Sequence, residues 1–245
     1  MEKDTDIAAI ERATLAAVPP EAQEERFGWL LAYDGGTVGR SHSGVPLAHD
    51  EATAAAWPQV VAAYRERGRR PVLRLPAVRA FEAQHAALQA QGFAPTQPTL
   101  VQTTELARFH VYSPHADVHL AEAPSPAWSQ VFLGEGFDPG DGASRRAILG
   151  RARSSVFASI EVEGRVVAVG CASLAPAWCG IHGMRTLPAW RGRGLASGIL
   201  AALAQVARAR GLGRAFLQVE AANAGAQALY RRAGFATAWG YQYWR

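Results

Sequence analysis

Apolar and polar residues alternate through residues 154–172, SSVFASIEVEGRVVAVGCA, with one interruption at Glu163–Gly164. Alternation of this kind is typical of strands that bury one face, and a short interruption containing glycine predicts a tight turn between antiparallel strands. Residues 179–186 predict a third strand. The C-terminal half of the chain is therefore predicted to contain a mainly antiparallel sheet.

Helical spacing begins after the third predicted strand. Six apolar side chains recur on one helical face until Gly211: Leu195, Ile199, Leu200, Leu203, Val206 and Ala207. Residues 215–220 predict a fourth strand, and Asn223 is placed to N-cap a second helix that ends at Gly234. The pattern also predicts strands at 118–122 and 239–244, and short helices at 124–133 and 144–152.

The first half of the chain repeats this order of elements. ERGRRPVLRL, a helical stretch and AQGF are similar to ARGLGRAFLQV, a helical stretch and RAGF, so that Gly68 and Gly92 correspond to Gly211 and Gly234. We also expect a hairpin in WLLAYDGGTVGR, with its turn at Asp34–Gly35. The predicted fold is α/β (α+β), with two related halves that each hold a mixed, mainly antiparallel sheet flanked by helices.

A glycine-rich loop, RGRGLA, connects the third strand of the second half to its helix. The first amides of a helix lack partners inside the helix and carry the positive end of its dipole, so they can bind an anion. Gly192 and Gly194 allow the backbone to approach phosphate oxygens closely, and Arg191 and Arg193 add charge. The first half has no such loop before its helix at residues 51–67, which predicts one anion site.

Composition narrows the class of protein. The chain has 245 residues, 49% hydrophobic and 19% charged, with a net charge of +4 and two cysteines that form no CxxC pair. The N-terminus is acidic and lacks the apolar core of a signal peptide, so we expect a globular protein of the cytoplasm. The basic residues are scattered among acidic ones, which predicts binding to neither nucleic acid nor membranes.

Two residue types restrict the chemistry. Lys3 is the only lysine, which excludes a Walker A lysine and a Schiff-base lysine. His115 and His119 are four positions apart, but Pro114 and the alternation that follows indicate loop and strand rather than one helical face. We therefore expect no bound metal ion.

In this order and spacing, two segments of the second half resemble the motifs of the GNAT superfamily of N-acetyltransferases. They are TLPAWRGRGLA at residues 186–196 and LQVEAANAGAQALYRRAGF at residues 217–235. The first half resembles a degenerate copy, as in tandem members of the superfamily. The resemblance implies a catalytic domain at residues 108–245 and a structural half at residues 1–107 that forms part of the acceptor pocket.

The resemblance also implies roles for single residues. The backbone of Met184, Arg185 and Thr186 would pair with the pantetheine arm of acetyl-CoA, where the third and fourth strands separate. Its pyrophosphate would be held by the loop and first helical turn: Arg191, Gly192, Arg193, Gly194, Leu195, Ala196 and Ser197. Asn223 would bond the same arm or only cap its helix. Tyr230 would protonate the departing thiolate or be an ordinary core tyrosine.

Acetyl transfer also needs a base, because an alkylammonium has a pKa near 10. His182 could relay the proton directly or through water, and Glu220 is the second candidate. In the first half Trp29, Arg40 and Ser43 could reach the acceptor, and Arg40 would suit an acceptor carboxylate. Alternating aromatic residues of the last strand either line the pocket or pack in the core: Trp239, Tyr241, Tyr243 and Trp244.

The leading hypothesis is an acetyl-CoA-dependent N-acetyltransferase that acts on a primary amine of a small molecule, as a monomer or a homodimer. A non-catalytic acyl-CoA sensor is the alternative, and a protein or peptide amine is a further possible acceptor. A dinucleotide-dependent oxidoreductase fits less well. Ser197 occupies the position of the third glycine of GxGxxG, and four residues separate the loop from its strand.

Overall fold

The computed structural model describes residues 2–110, 117–134 and 138–245. The helices are α1 Glu2–Ala17, α2 Glu51–Ala55, α3 Trp57–Glu66, α4 Glu82–Ala90, α5 Pro126–Gln130, α6 Pro139–Gly150, α7 Leu195–Ala209 and α8 Ala224–Arg232. The strands are β1 Ala22–Arg26, β2 Trp29–Tyr33, β3 Gly44–Pro46, β4 Leu73–Pro76, β5 Pro95–Glu105, β6 His119–Ala121, β7 Ser155–Val162, β8 Arg165–Ala175, β9 Trp178–Thr186, β10 Arg214–Glu220 and β11 Ala236–Trp244. The predicted elements of the second half are all present.

The two halves share one eleven-stranded sheet, in the order β1-β2-β3-β4-β11-β5-β10-β9-β8-β7-β6. The last strand of each half lies inside the other half. β11 pairs with β4 and β5, and β5 pairs with β11 and β10, all antiparallel. From Tyr241 to Trp244 both main-chain edges of β11 are therefore occupied, so this part of the C-terminal strand offers no free edge for strand pairing with a second copy of the chain.

The internal repeat is visible in the backbone. β9 pairs parallel with β10 as β3 pairs parallel with β4, and each parallel pair follows a set of antiparallel strands. The four corresponding glycines, Gly68, Gly92, Gly211 and Gly234, all have positive φ, between 66° and 92°. Each follows a helix, and the next amide bonds back to a carbonyl in the last helical turn, as in a Schellman cap.

The predicted hairpin turn at Asp34–Gly35 is wrong. The two-residue turn of the first half is Phe27–Gly28, which joins β1 to β2 and has φ values of 59° and 76°. It matches the turn at Glu163–Gly164, with φ values of 53° and 75°. The exposed edge strand AQEER has too few apolar residues to show alternation, and phenylalanine is an unusual residue at a positive φ. Asp34–Gly35 instead opens the longer connection from β2 to β3.

Helix α1, which the apolar pattern did not predict, covers the middle of the sheet. Its buried residues Ile10 and Ala13 join a core cluster with Trp178 of β9, Phe216 of β10 and Tyr241 of β11. We call this side of the sheet the α1 face. Helix α7 packs on the opposite side, where Ile199, Leu200 and Leu203 are fully buried. No helix among the described residues is long and apolar enough to cross a membrane.

Candidate functional site

The central feature of the site is a gap between two parallel strands, which we call the fork. β9 and β10 pair only from Cys179–Ala215 to Ile181–Leu217, and beyond this point they separate. On its other edge β9 stays bonded to β8 as far as Thr186. Residues 182–186 of β9 therefore present main-chain amides and carbonyls to the fork without a partner on β10.

A bulge changes the direction of the β9 side chains inside the fork. Gly183 has a φ of 61°, and the register with β8 shifts between Val169–Arg185 and Cys171–His182. Met184 lies on the α7 side, because a Cβ on Gly170 would stand 2.5 Å from its sulfur. His182 lies on the α1 face instead. Residues two positions apart in a regular strand lie on the same face, and the bulge at Gly183 instead places His182 and Met184 on opposite faces of the fork.

The predicted anion loop follows the fork after four residues, 187–190. Gly192 and Gly194 have φ values of 77° and 79°, and Gly194 is the N-cap of α7. The first i to i−4 bond of α7 runs from Gly198 to Gly194, so three preceding amides make no such bond: Leu195, Ala196 and Ser197. Arg191 Nε donates to the Thr186 carbonyl at 3.3 Å, and the Arg193 guanidinium stacks over Trp190. Two arginines and three helix amides therefore surround one open loop.

Arg185 connects the fork to α6. Its Nη2 lies 3.4 Å from Asp141 Oδ2, and Asp141 also binds Arg145 and the hydroxyl of Thr37. Burial, followed by the charge of Arg145, lowers the pKa of Arg185. Because Thr37 belongs to the first half of the chain, this cluster ties both halves together beside the fork.

Tyr230 and Asn223 both lie on or beside α8. Tyr230 is 7% exposed, its ring packs against Phe235, and burial raises its pKa to about 12. The phenol therefore keeps its proton at neutral pH. Asn223 Oδ1 accepts a hydrogen bond from the Ala226 amide at 3.1 Å, so Asn223 caps α8. Its side-chain NH₂ group does not take part in this cap.

His182 is neutral at the α1 face of the fork. It is 5% exposed, its Nε2 lies 3.3 Å from Ser173 Oγ, and its ring meets Phe216 edge to face. Burial, and then the charge of Arg40, lowers the pKa of His182 to about 3. Its Nδ1 has no hydrogen-bond partner among the described residues.

Gln218 is a site residue that the sequence analysis missed. Its Oε1 accepts from the Tyr241 hydroxyl at 2.9 Å and from Arg40 Nη1 at 3.5 Å, and its Nε2 donates to Thr14 Oγ1 at 3.0 Å. The last paired residues of β9 and β10 are Ile181 and Leu217. His182 and Gln218 follow them directly, one on each strand of the fork. The available signal was one polar residue inside the apolar strand sequence AFLQV.

Of the three residues expected from the first half, the structure brings only Arg40 to the fork. Trp29 is fully buried in the core of the first half, and its indole donates to the Thr53 carbonyl. Ser43 accepts from Arg74 Nε under α1. Glu220, at the exposed end of β10, accepts from the Gln97 side chain at 2.8 Å.

The aromatic residues of β11 mainly fill cores, as the second of the two expectations had it. Tyr241 and Tyr243 lie under α1, and Trp244 stacks on His85 in the core of the first half. Trp239 is half-buried and meets His49 edge to face. Tyr241 also contacts the fork, because its hydroxyl binds Gln218.

Of the two histidines considered as metal ligands, His115 and His119, the structure describes only one. His115 lies outside the described residues, and His119 is exposed in β6. Within residues 2–110, 117–134 and 138–245, no three histidine, cysteine or carboxylate side chains are grouped to hold a metal ion.

Three solved structures have an architecture similar to that of this chain. A GCN5-related N-acetyltransferase from Kribbella flavida aligns with a TM-score of 0.67 and 19% identity, over 97% of this chain and 94% of that one. A tandem GNAT protein from the clavulanic acid biosynthesis pathway aligns with a TM-score of 0.61 and 14% identity, over 99% and 93%. A functionally unknown conserved protein from Staphylococcus epidermidis gives 0.65 and 12%, over 93% and 94%. At these identities the likeness shows the fold.

The family is shown by sequence. No curated protein matches the chain. The family model described as "Probable histone acetyltransferase Rv0428c C-terminal" matches residues 4–244, which is nearly the whole chain. This chain therefore belongs to the Rv0428c C-terminal acetyltransferase family, and it has the GNAT fold.

Proposed function

We propose that this protein transfers an acetyl group from acetyl-CoA to a primary amine of a small molecule, by direct attack of the amine on the thioester. The observation that carries the proposal is the fork between β9 and β10, which is followed four residues later by the glycine loop at the start of α7. The fork offers unpaired main-chain groups to an amide-containing arm, and the loop offers amides and arginines to a pyrophosphate.

Acetyl-CoA supplies the activated acyl group. For its binding we propose the backbone of Met184, Arg185 and Thr186 in the fork, and the loop and first helical turn: Arg191, Gly192, Arg193, Gly194, Leu195, Ala196 and Ser197. The NH₂ group of Asn223 is a further proposed donor, because the cap of α8 uses only the side-chain oxygen.

Tyr230 is the proposed acid for the departing thiolate. A group that donates a proton must hold it at the working pH, and burial raises the pKa of Tyr230 to about 12. A free thiol has a pKa near 8.5, so proton transfer to a thiolate from such a phenol is assisted by its position more than by its acidity. The hydroxyl can also donate a hydrogen bond to the sulfur as negative charge develops there.

The base is better assigned to Glu220 or to water than to His182. A histidine with a pKa of about 3 accepts a proton from an alkylammonium only at great cost, because the two pKa values differ by about 7 units. Glu220 lies two residues beyond Gln218 on the same face of β10 and is exposed. We therefore propose Glu220, acting through water, as the proton acceptor, and His182 as a neutral hydrogen-bonding group.

The first half is proposed as a scaffold that narrows the acceptor side. Helix α1 covers this side of the sheet, and its Thr14 is bonded to Gln218 at the fork. Arg40, on the short helix Gly39–His42, borders the fork on another side through its contact with Gln218. A confined entrance of this kind favours a small acceptor over an extended peptide, although the family description names histones.

Calorimetry and a thiol-release assay test the proposal. We expect acetyl-CoA to bind with one site per chain and NADH not to bind, and thiol release to require an amine. Tyr230→Phe should lower kcat by about 10²-fold or more with unchanged acetyl-CoA affinity. Tyr33→Phe, which removes a phenol bonded to Glu24 in the first half, should leave kcat unchanged.

Three results would contradict the proposal in different ways. Binding of acetyl-CoA without thiol release on any amine would indicate the acyl-CoA sensor. Turnover of histone peptides but of no small amine would refute the small acceptor. No binding of acetyl-CoA would refute the cofactor itself.

A further inference from the structure

We infer that the amine acceptor also carries a carboxylate, and that Arg40 binds this carboxylate at the fork. The inference rests on the proposed function and gives it a substrate class: small aminocarboxylic acids. Arg40 comes from the half of the chain that lacks the glycine loop, so this role would explain what that half adds to the reaction.

Arg40 stands where an acceptor must approach. Its Nη1 is 3.5 Å from Gln218 Oε1, and its charge acts on His182. Gln218 and His182 lie at the start of the fork on the α1 face. Met184 and the glycine loop lie on the opposite side, next to α7. A donor arm that enters along β9 from the loop would leave the α1 face for the amine.

Arg40 has no counter-charge. Among the described residues no carboxylate lies within ion-pair distance of it, whereas other partly or fully buried arginines each face one: Arg74 with Glu11, Arg185 with Asp141 and Arg214 with Asp6. A half-buried guanidinium without an anion has lost hydration and gained no attraction. A ligand carboxylate would restore that balance.

The groups around Arg40 are neutral and cannot act as that anion. Burial raises the pKa of Cys171 to about 12 and raises the pKa of Tyr241 as well, so both keep their protons. His182 is uncharged and Gln218 is an amide. Only one guanidinium nitrogen of Arg40 contacts Gln218, at the upper distance limit of a hydrogen bond. Most of its five N–H donors therefore remain to bind a carboxylate in bidentate geometry.

The same arrangement positions the amine. In a compact aminocarboxylic acid the nitrogen lies within a few ångströms of the carboxylate, so a carboxylate held by Arg40 keeps the amine beside His182. The buried Nδ1 of His182, which has no partner among the described residues, can accept an N–H of the neutral amine once side chains at the fork shift to admit it. The contact would orient the lone pair toward the thioester without requiring a charged histidine.

Matched acceptors test the inference. Thiol release is measured with a panel of amino acids, with their carboxamides, and with the corresponding amines that lack the carboxyl group. For the wild-type protein we expect kcat/KM to be higher for carboxylates by about 10- to 100-fold, as for a charge-assisted hydrogen bond. Arg40→Gln should remove this preference by lowering kcat/KM for the carboxylates, and Arg40→Lys should restore part of it.

Two controls separate this role from a structural one. Arg65→Gln, on the exposed end of α3, should change neither acceptor class. The acetyl-CoA affinity of Arg40→Gln should equal that of the wild type, and its melting temperature should be no lower, because the variant removes a half-buried charge without a counter-charge. Arg40→Lys keeps the test valid if the Gln variant folds poorly.

Different results would refute the carboxylate site alone or the acetyltransferase activity as well. Equal kcat/KM for carboxylates and carboxamides, equal loss on both in Arg40→Gln, or weaker acetyl-CoA binding in that variant would each refute the carboxylate site while the acetyltransferase stands. Absence of thiol release with every amine, despite acetyl-CoA binding, would refute the proposed function and the inference with it.

Discussion

The most informative stability prediction concerns the ion pair between Glu11 of α1 and Arg74 of β4. Both side chains are fully buried, at 1% and 0% exposure, and Glu11 Oε2 lies 2.9 Å from Arg74 Nη2. Ser43 accepts from Arg74 Nε, and the Tyr241 ring lies 5.3 Å from the guanidinium. The pair therefore joins α1 to the strand that neighbours β11, in the middle of the sheet.

The magnitude follows from burial. At an effective dielectric constant of 20, two unit charges 2.9 Å apart attract by about 6 kcal/mol, part of which only offsets the cost of removing both charges from water. Glu11→Gln keeps the volume of the side chain but leaves Arg74 buried without a counter-charge. We expect it to lower the free energy of unfolding by about 3–5 kcal/mol, a large share of the 5–15 kcal/mol typical of a domain.

A second ion pair, between Arg12 of α1 and Glu25 of β1, is the control. Arg12 and Glu25 are only 2.7 Å apart, but their side chains are 53% and 45% exposed. Water and salt screen such a pair, so Arg12→Gln should cost about 1 kcal/mol or less. Urea unfolding followed by circular dichroism, with equal slopes for all variants, measures both values.

The result that would refute this reasoning is a cost for Glu11→Gln no larger than that for Arg12→Gln. A double variant adds a second condition. Glu11→Leu with Arg74→Met removes both charges at once and should be far less destabilised than the sum of the single changes, because no charge is left unpaired. If the double variant is as unstable as that sum, the pair contributes through packing and not through charge.

Three further predictions use other parts of the structure. Gly192→Ala and Gly211→Ala place alanine at the same φ of 77° in open space, so each should cost about 1–2 kcal/mol of stability, but only Gly192→Ala should weaken acetyl-CoA binding in calorimetry. Burial, and then Arg40, lowers the pKa of His182 from its ordinary 6.5 to about 3, so its neutral form stabilises the fold fully above pH 6.5 and less as the pH falls toward 3. Across that window the wild type should lose up to about 1.4 kcal/mol per pH unit more than His182→Gln in urea unfolding, and parallel curves would contradict the shift. For the reaction, His182→Gln should leave the shape of the pH profile of kcat/KM unchanged above pH 6, whereas Glu220→Gln should lower kcat/KM, and the reverse pattern would make His182 the base.

Much of the candidate site was readable as local pattern. The loop RGRGLA and the cap at Asn223 depend on residues that are close in sequence, and the steric freedom of glycine at positive φ is a property of single positions. Gln218 was missed because its importance depends on where β9 leaves β10, and strand alternation carries no information about that point. Trp29 was placed wrongly because an aromatic residue in a strand fits a pocket and a core equally well.

By itself, the amino-acid sequence determined the types of most elements, the repeat of two halves and the four glycines that end corresponding helices, because periodicity and backbone sterics act over a few residues. Only the tertiary structure decided that β5 and β11 cross into the opposite halves, that α1 covers the sheet and that Arg40 reaches the fork. The physical reason is that strands pair through backbone groups that are the same in every residue, so the choice of neighbour depends on how all the apolar faces are buried together.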